Sequence, residues 1–309
     1  GAFAIISRLI SREEMGIVAV LLLVAVGAQT LSGLGLGTSA TKFVASFKTT
    51  GEYEKMRRAG YGCLSICALA TVIVAMTVYI SAGTLSVFLF GNSFKASLFR
   101  LLVLEIAAAS IQSPLIGILI GLERFKEISL TSASAFTLRQ LLVVSFLGLG
   151  LGVPGIVLAW GIGDSLCSLA LLSCTRRFLG PLTLGLGLAN LARFSMPLLL
   201  GEAATYAWTW FDRALLIPTV TLSQLGAYNV AVTAFGLLDS MPGAISVTLF
   251  PYYSQFYRSS NSASQIRDLE SAINRASRYI SFFAIPLSVG LATTALPAAT
   301  LLAGNAYKD

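Results

Sequence analysis

The chain has no histidine at all, and Asp, Glu, Lys and Arg together make up only 11% of its 309 residues. The first absence rules out zinc sites that combine His with Cys, and every triad that relies on an imidazole base. The second sets the chain apart from soluble domains, in which about a quarter of residues are charged. Cysteine is also scarce. Cys63, Cys67, Cys167 and Cys174 are the four in the sequence, all within apolar runs, where they read as buried thiols. No Ser or Cys triad and no paired carboxylates in a polar loop can be picked out, so the sequence points to no enzyme, no cofactor and no metal site.

Apolar length is what the chain does have. Hydrophobic residues make up 56% of it and the mean hydropathy is +0.81. Runs such as "CLSICALATVIVAMTVYISAGTLSVFLF" at 63–90 exceed the roughly 20 residues needed to cross a bilayer core. Hydropathy and Gly, Pro and charge punctuation predict the tail of one span at 1–10, then spans at 15–46, 60–89, 98–121, 125–149, 153–175, 193–218, 224–251 and 277–303. The expected fold is therefore all-α and multi-pass, with about nine spans.

The net charge of +7 is not gathered into a basic domain, so anionic lipids are expected as partners and nucleic acid is not. One set of alternate connections holds most of the basic residues, among them Lys48, Arg57, Arg124, Arg176 and Arg275. The other holds only Arg12, Lys95, Arg100 and Lys308. Positive residues stay on the cytoplasmic side during insertion, which places the first set, and the N-terminus, in the cytoplasm. Segments 47–61 and 258–279 mix charge with apolar residues at helical spacing and read as short helices along the inner interface.

The halves resemble each other. "SREEMGIVAV" at 11–20 parallels "TLSQLGAYNV" at 221–230, aligning Gly16 with Gly226, and "GNSFK" at 91–95 parallels "GNAYK" at 304–308. Nearly equal offsets predict a tandem repeat of parallel six-span lobes, the first at 1–180 and the second beginning at 181–309. A second lobe as long as the first would carry the chain roughly 80 residues past Asp309, with about 20 more before Gly1.

"GLGLG" at 33–37 and 148–152 lies inside or between apolar spans, so close helix packing is favoured over nucleotide binding. Pro114, Pro197, Pro242 and Pro286 fall within spans and are expected to bend them.

Embedded charges are costly and mark candidate function. Arg139 and Asp164 fall at similar depths on neighbouring spans, roughly 22 and 17 Å from the cytoplasmic end at 1.5 Å per residue. Two readings stand: a structural ion pair, or a cavity in which Arg139 meets an anionic substrate. Glu105, Glu202 and Asp239 are deep carboxylates and candidates for proton or cation coupling. Lys42, near a span end, can reach headgroups or a cavity. Arg8 and Arg213 sit on equivalent first helices of the two lobes and could form a cationic site for phosphorylated cargo, moderated by Asp212. Trp208 and Trp210 flank that site or belong to the interfacial aromatic belt.

The stretches "LISREEMGIVAV", "GLGLGTSATKFVASFKTTGEYEKMRRAG" and "FDRALLIPTVTLSQLGAYNVAVTAFGLLDSMPGAISVTLFPYYSQFY" resemble the polysaccharide transporter branch of the multidrug/oligosaccharidyl-lipid/polysaccharide exporter superfamily, the O-antigen flippase-like proteins. That resemblance implies two six-helix bundles in a V around a central cavity. It also implies alternating-access transfer of an undecaprenyl- or dolichyl-diphosphate-linked oligosaccharide out of the cytoplasmic leaflet, and polysaccharide-assembly proteins as partners. A cationic lumen would be supplied here by Arg8, Arg139 and Arg213. Two other readings remain open: a cation-coupled drug or metabolite exporter of the same fold, and a non-transporting scaffold for glycan assembly.

Overall fold

The computed structural model describes residues 2–181, 188–233, 235–236, 263–295, 297, 300 and 304, and no strand occurs among them. Ten helices are labelled in chain order: α1 (Ala2–Leu9), α2 (Arg12–Gly33), α3 (Leu36–Thr49), α4 (Tyr53–Ile80), α5 (Ala82–Phe90), α6 (Ala96–Gly121), α7 (Phe125–Gly148), α8 (Gly152–Leu179), α9 (Leu188–Leu216) and α10 (Ala263–Thr293). The chain divides into two compact units, Gly1–Gly226 and Ala227–Asp309.

In the first unit α6 is the central post, packed by α2, α3, α4, α5, α7 and α8. Its position follows from small residues, because between helices in lipid it is close backbone approach, not exclusion of water, that drives association. A side-chain carbon on Gly117 of α6 would overlap the Gly37 carbonyl of α3, and the Thr41 hydroxyl donates to the Gly117 carbonyl at 3.0 Å. Pro114 lacks the N–H that would bond the Ser110 carbonyl. That carbonyl instead accepts the Cys67 thiol of α4 at 3.4 Å. All four cysteines are unbridged; Cys63, Cys67 and Cys167 are buried.

Five stretches among the described residues are long and apolar enough to cross a membrane: Arg12–Thr49, Tyr53–Ile80, Ala96–Gly121, Phe125–Gly148 and Gly152–Leu179. Leu69, Val72, Ile73, Met76 and Ile80 of α4 form an exposed apolar stripe at helical spacing, the face such a helix turns to lipid.

Four expectations need correction. The span expected over 15–46 is broken, since Leu34 and Gly35 both adopt left-handed backbone (φ 51° and 66°), so α3 starts afresh inside the bundle. The run at 60–89 ends early because Ser81 closes α4 with its N–H and hydroxyl both donating to the Thr77 carbonyl, after which α5 begins. Segment 47–61 is not a separate interfacial helix. Gly51, at φ 75°, turns the chain between the end of α3 and the start of α4. Lys48 ties this turn to the next connection at the same end, donating to Glu123 at 2.9 Å. That ammonium holds the Glu123 carboxyl below the usual carboxylate range. Segment 263–279 likewise runs on within α10, and residues 258–262 lie outside the described residues.

In the second unit, residues 227–233 are helical and α10 is a 31-residue helix with Pro286 inside it and Phe282 and Phe283 packed edge to face.

Candidate functional site

On α9 the residues Glu202, Thr205, Tyr206, Thr209 and Trp210 recur at intervals of three and four, so they share one face. Val26, Gln29, Thr30 and Gly33 do the same on α2. These two stripes, with Thr38 of α3 and Ala109, Ser110 and Ser113 of α6, line a cavity of about 690 Å³. Small-molecule sites typically enclose about 300–1,000 Å³.

The helix break shapes one wall. Gly35 is pressed onto α9, where a side-chain carbon would lie 2.7 Å from Leu198 Cβ and 2.9 Å from the Ser195 carbonyl oxygen. Its left-handed backbone and this crowding both require glycine. The break brings the N-terminus of α3, the positive end of its dipole, near Glu202, whose Oε2 lies 4.0 Å from where a side-chain carbon on Gly33 would sit. Tyr206 anchors α9 to α2 by donating to the Leu23 carbonyl at 2.8 Å, and its ring stacks on Trp210 with centroids 6.5 Å apart.

Among the described residues of this lining, Glu202 is the one formally charged side chain. Glu105 stands just behind it. Gln29 Nε2 donates to Glu105 Oε1 at 2.7 Å, and the carboxyl is only 3% exposed, its Oε2 buried without a hydrogen-bond partner. Beside this contact the Ser32 and Ser110 hydroxyls pair at 2.6 Å.

Arg139 and Asp164 lie behind α6, away from the cavity lining. Arg139 Nη1 donates to Asp164 Oδ2 at 3.2 Å, Gln112 Nε2 donates to Asp164 Oδ1 at 3.2 Å, and the guanidinium covers the Trp160 ring at 5.3 Å. Gly163 permits this approach, since a carbon added there would lie 2.7 Å from Arg139 Cβ.

Arg213 is 8% exposed and folds back along its own helix. Its Nη1 donates to the Thr209 carbonyl at 3.0 Å, the guanidinium lies 4.4 Å over Trp210, and Asp212 Oδ1 is 3.6 Å away. The Asp–Arg pair in an oily run is thus a local clamp on Trp210. Trp208, one residue from the clamp's other side, is 89% exposed. Lys42 places its ammonium 3.6 Å over the Phe194 ring, joining α3 to α9. Arg8 is exposed in the last turn of α1. None of Arg8, Lys42, Arg139 and Arg213 lines the cavity; Glu202 does. Asp239 and Pro242 lie outside the described residues. Gln29, Thr30, Ser113, Thr205, Tyr206 and Thr209 were not singled out from the sequence.

The described residues hold no cluster of three or more metal-ligating side chains. Residues 1–257 match the family model described as polysaccharide biosynthesis protein. No curated protein matches the chain. Among solved structures, the chain is similar to an inward-facing multidrug resistance MATE family transporter of the MOP superfamily, with 17% identity and a TM-score of 0.66 over 99% of this chain and 73% of the other. The two share a fold.

Proposed function

Because the chain belongs to the polysaccharide biosynthesis protein family and has the fold of a MOP-superfamily membrane transporter, we propose that it moves a lipid-diphosphate-linked oligosaccharide across the cytoplasmic membrane by alternating access. The observation that carries this reading is the hydroxyl- and ring-lined cavity between α2, α6 and α9. It offers the uncharged polar groups and aromatic faces a glycan needs, inside a bundle whose outer face suits lipid. A scaffold protein needs no such cavity. The basic residues at one end, Lys48, Arg57 and Arg124 among them, belong on the cytoplasmic side, where anionic lipid surrounds them, and the N-terminus is cytoplasmic. Polysaccharide-assembly proteins would supply and receive the cargo.

The test is reconstitution of the full-length protein in vesicles with a fluorescent lipid-diphosphate oligosaccharide. Protein-dependent loss of that lipid from one leaflet supports the reading, and equal leaflet exchange with and without protein removes it.

One observation favours a second reading. A cavity whose described lining carries Glu202 as its one formal charge also suits a cationic drug or metabolite, exported in exchange for protons or sodium. Ion-gradient-driven efflux of an organic cation from the same vesicles, without glycan movement, would select it.

A further inference from the structure

Six hydrogen-bond donors around the cavity are already in use. Thr30, Thr205 and Thr209 donate their hydroxyls to the carbonyls of Val26, Gly201 and Thr205, one turn back, at 2.9, 3.0 and 2.9 Å. Ser110 donates to Ile106, Tyr206 to Leu23, and the Gln29 amide to Glu105. A hydroxyl whose proton is committed still has lone pairs, and so does the Gln29 carbonyl. Glu202 adds a carboxylate that accepts only. The polar part of the described lining is therefore rich in acceptors, and no guanidinium or ammonium occurs among the described residues that line it.

We infer that this cavity binds uncharged, hydroxyl-rich sugar units of the glycan through hydrogen bonds that the sugar donates, and that Glu202 rejects acidic sugars. The inference rests on the flippase reading and names which part of the substrate the cavity takes. An acceptor surface favours ligands that bring their own O–H groups, and the Trp210 face, held by Tyr206 and Arg213, covers the apolar side of a sugar ring. A uronic acid brings a second carboxylate beside Glu202, where like charges repel.

The experiment compares two lipid-diphosphate disaccharides that differ only in a terminal glucose or glucuronic acid. Binding to the purified full-length protein is measured by titration calorimetry, and transfer in vesicles by leaflet exchange. The glucose-ended lipid is expected to bind about tenfold more tightly. Glu202→Gln should bring the two within about twofold, and Thr205→Asp, which adds a second carboxylate one turn away, should widen the gap. Equal binding by the unaltered protein, or a preference that survives Glu202→Gln, overturns the inference. If the binding preference holds but neither lipid crosses the vesicle membrane, the flippase reading fails and the sugar site stands.

Discussion

Gly16 and Gly226 hold reciprocal positions at one helix crossing: a side-chain carbon on Gly16 would overlap the Leu222 carbonyl, and one on Gly226 would overlap the Arg12 carbonyl. The partners are separated by the same 210 residues as the glycines themselves, as a two-fold-related contact requires. The turns that start the two helices match as well. Glu14 and Ser11 close a capping box, and Gln224 and Thr221 close the corresponding one. Replacing Gly226 with Leu should force the backbones apart at a cost of about 1–3 kcal/mol, as overpacking does elsewhere. A melt of the purified full-length protein in detergent checks this, and an unchanged midpoint contradicts it.

Asp164 is the counter-charge that makes a buried Arg139 tolerable. Asp164→Ala should destabilise the bundle by about 3 kcal/mol, because it leaves one embedded charge alone. Arg139→Met combined with Asp164→Leu should cost less than Asp164→Ala by itself. A double-mutant cycle on thermal midpoints checks the pair, and additive single changes would show that the two side chains act independently.

The two neighbouring tryptophans of α9 should behave differently. Trp210 lines the cavity and Trp208 faces outward. Trp210→Ala is expected to weaken binding of a lipid-linked glycan by roughly tenfold, and Trp208→Ala to change it little. Equal losses would place both rings in a structural belt.

Gly35 fixes the break between α2 and α3. With φ at 66° and Leu198 Cβ 2.7 Å from where a side chain would begin, Gly35→Ala should cost about 1–3 kcal/mol and move α3 off α9. The Lys42 contact with Phe194 should then loosen, which a cysteine pair across 42 and 194 would report as slower disulfide formation.

Much of this architecture can be read from hydropathy. The expected spans 98–121, 125–149 and 153–175 lie close to α6, α7 and α8, because each is a long apolar run bounded by charge or glycine. The break at Leu34 and Gly35 is not legible in the sequence because the same glycines that let helices touch also permit left-handed backbone, and composition does not separate the two uses. The cavity is hidden in the sequence for another reason. A search for embedded charge finds Arg139 and Arg213, which satisfy themselves against Asp164 and along their own helix. The polar side chains among its described lining are hydroxyls and amides with a single carboxylate, set among Val26, Ala109, Pro197 and Leu198, and the signal is a stripe at helical spacing: Glu202, Thr205, Tyr206, Thr209 and Trp210 on one side, Gln29, Thr30 and Gly33 on the other. A periodicity count over polar residues would have found both.

Thr209→Cys in the full-length, reconstituted protein, with the native cysteines replaced by Ala or Ser, gives the most direct measurement. A bulky maleimide should react at that cavity wall and stop transfer of a lipid-linked oligosaccharide, and excess oligosaccharide lipid should slow the reaction. Full transfer after complete labelling, or labelling that the lipid does not slow, would contradict a glycan path through the space between α2, α6 and α9.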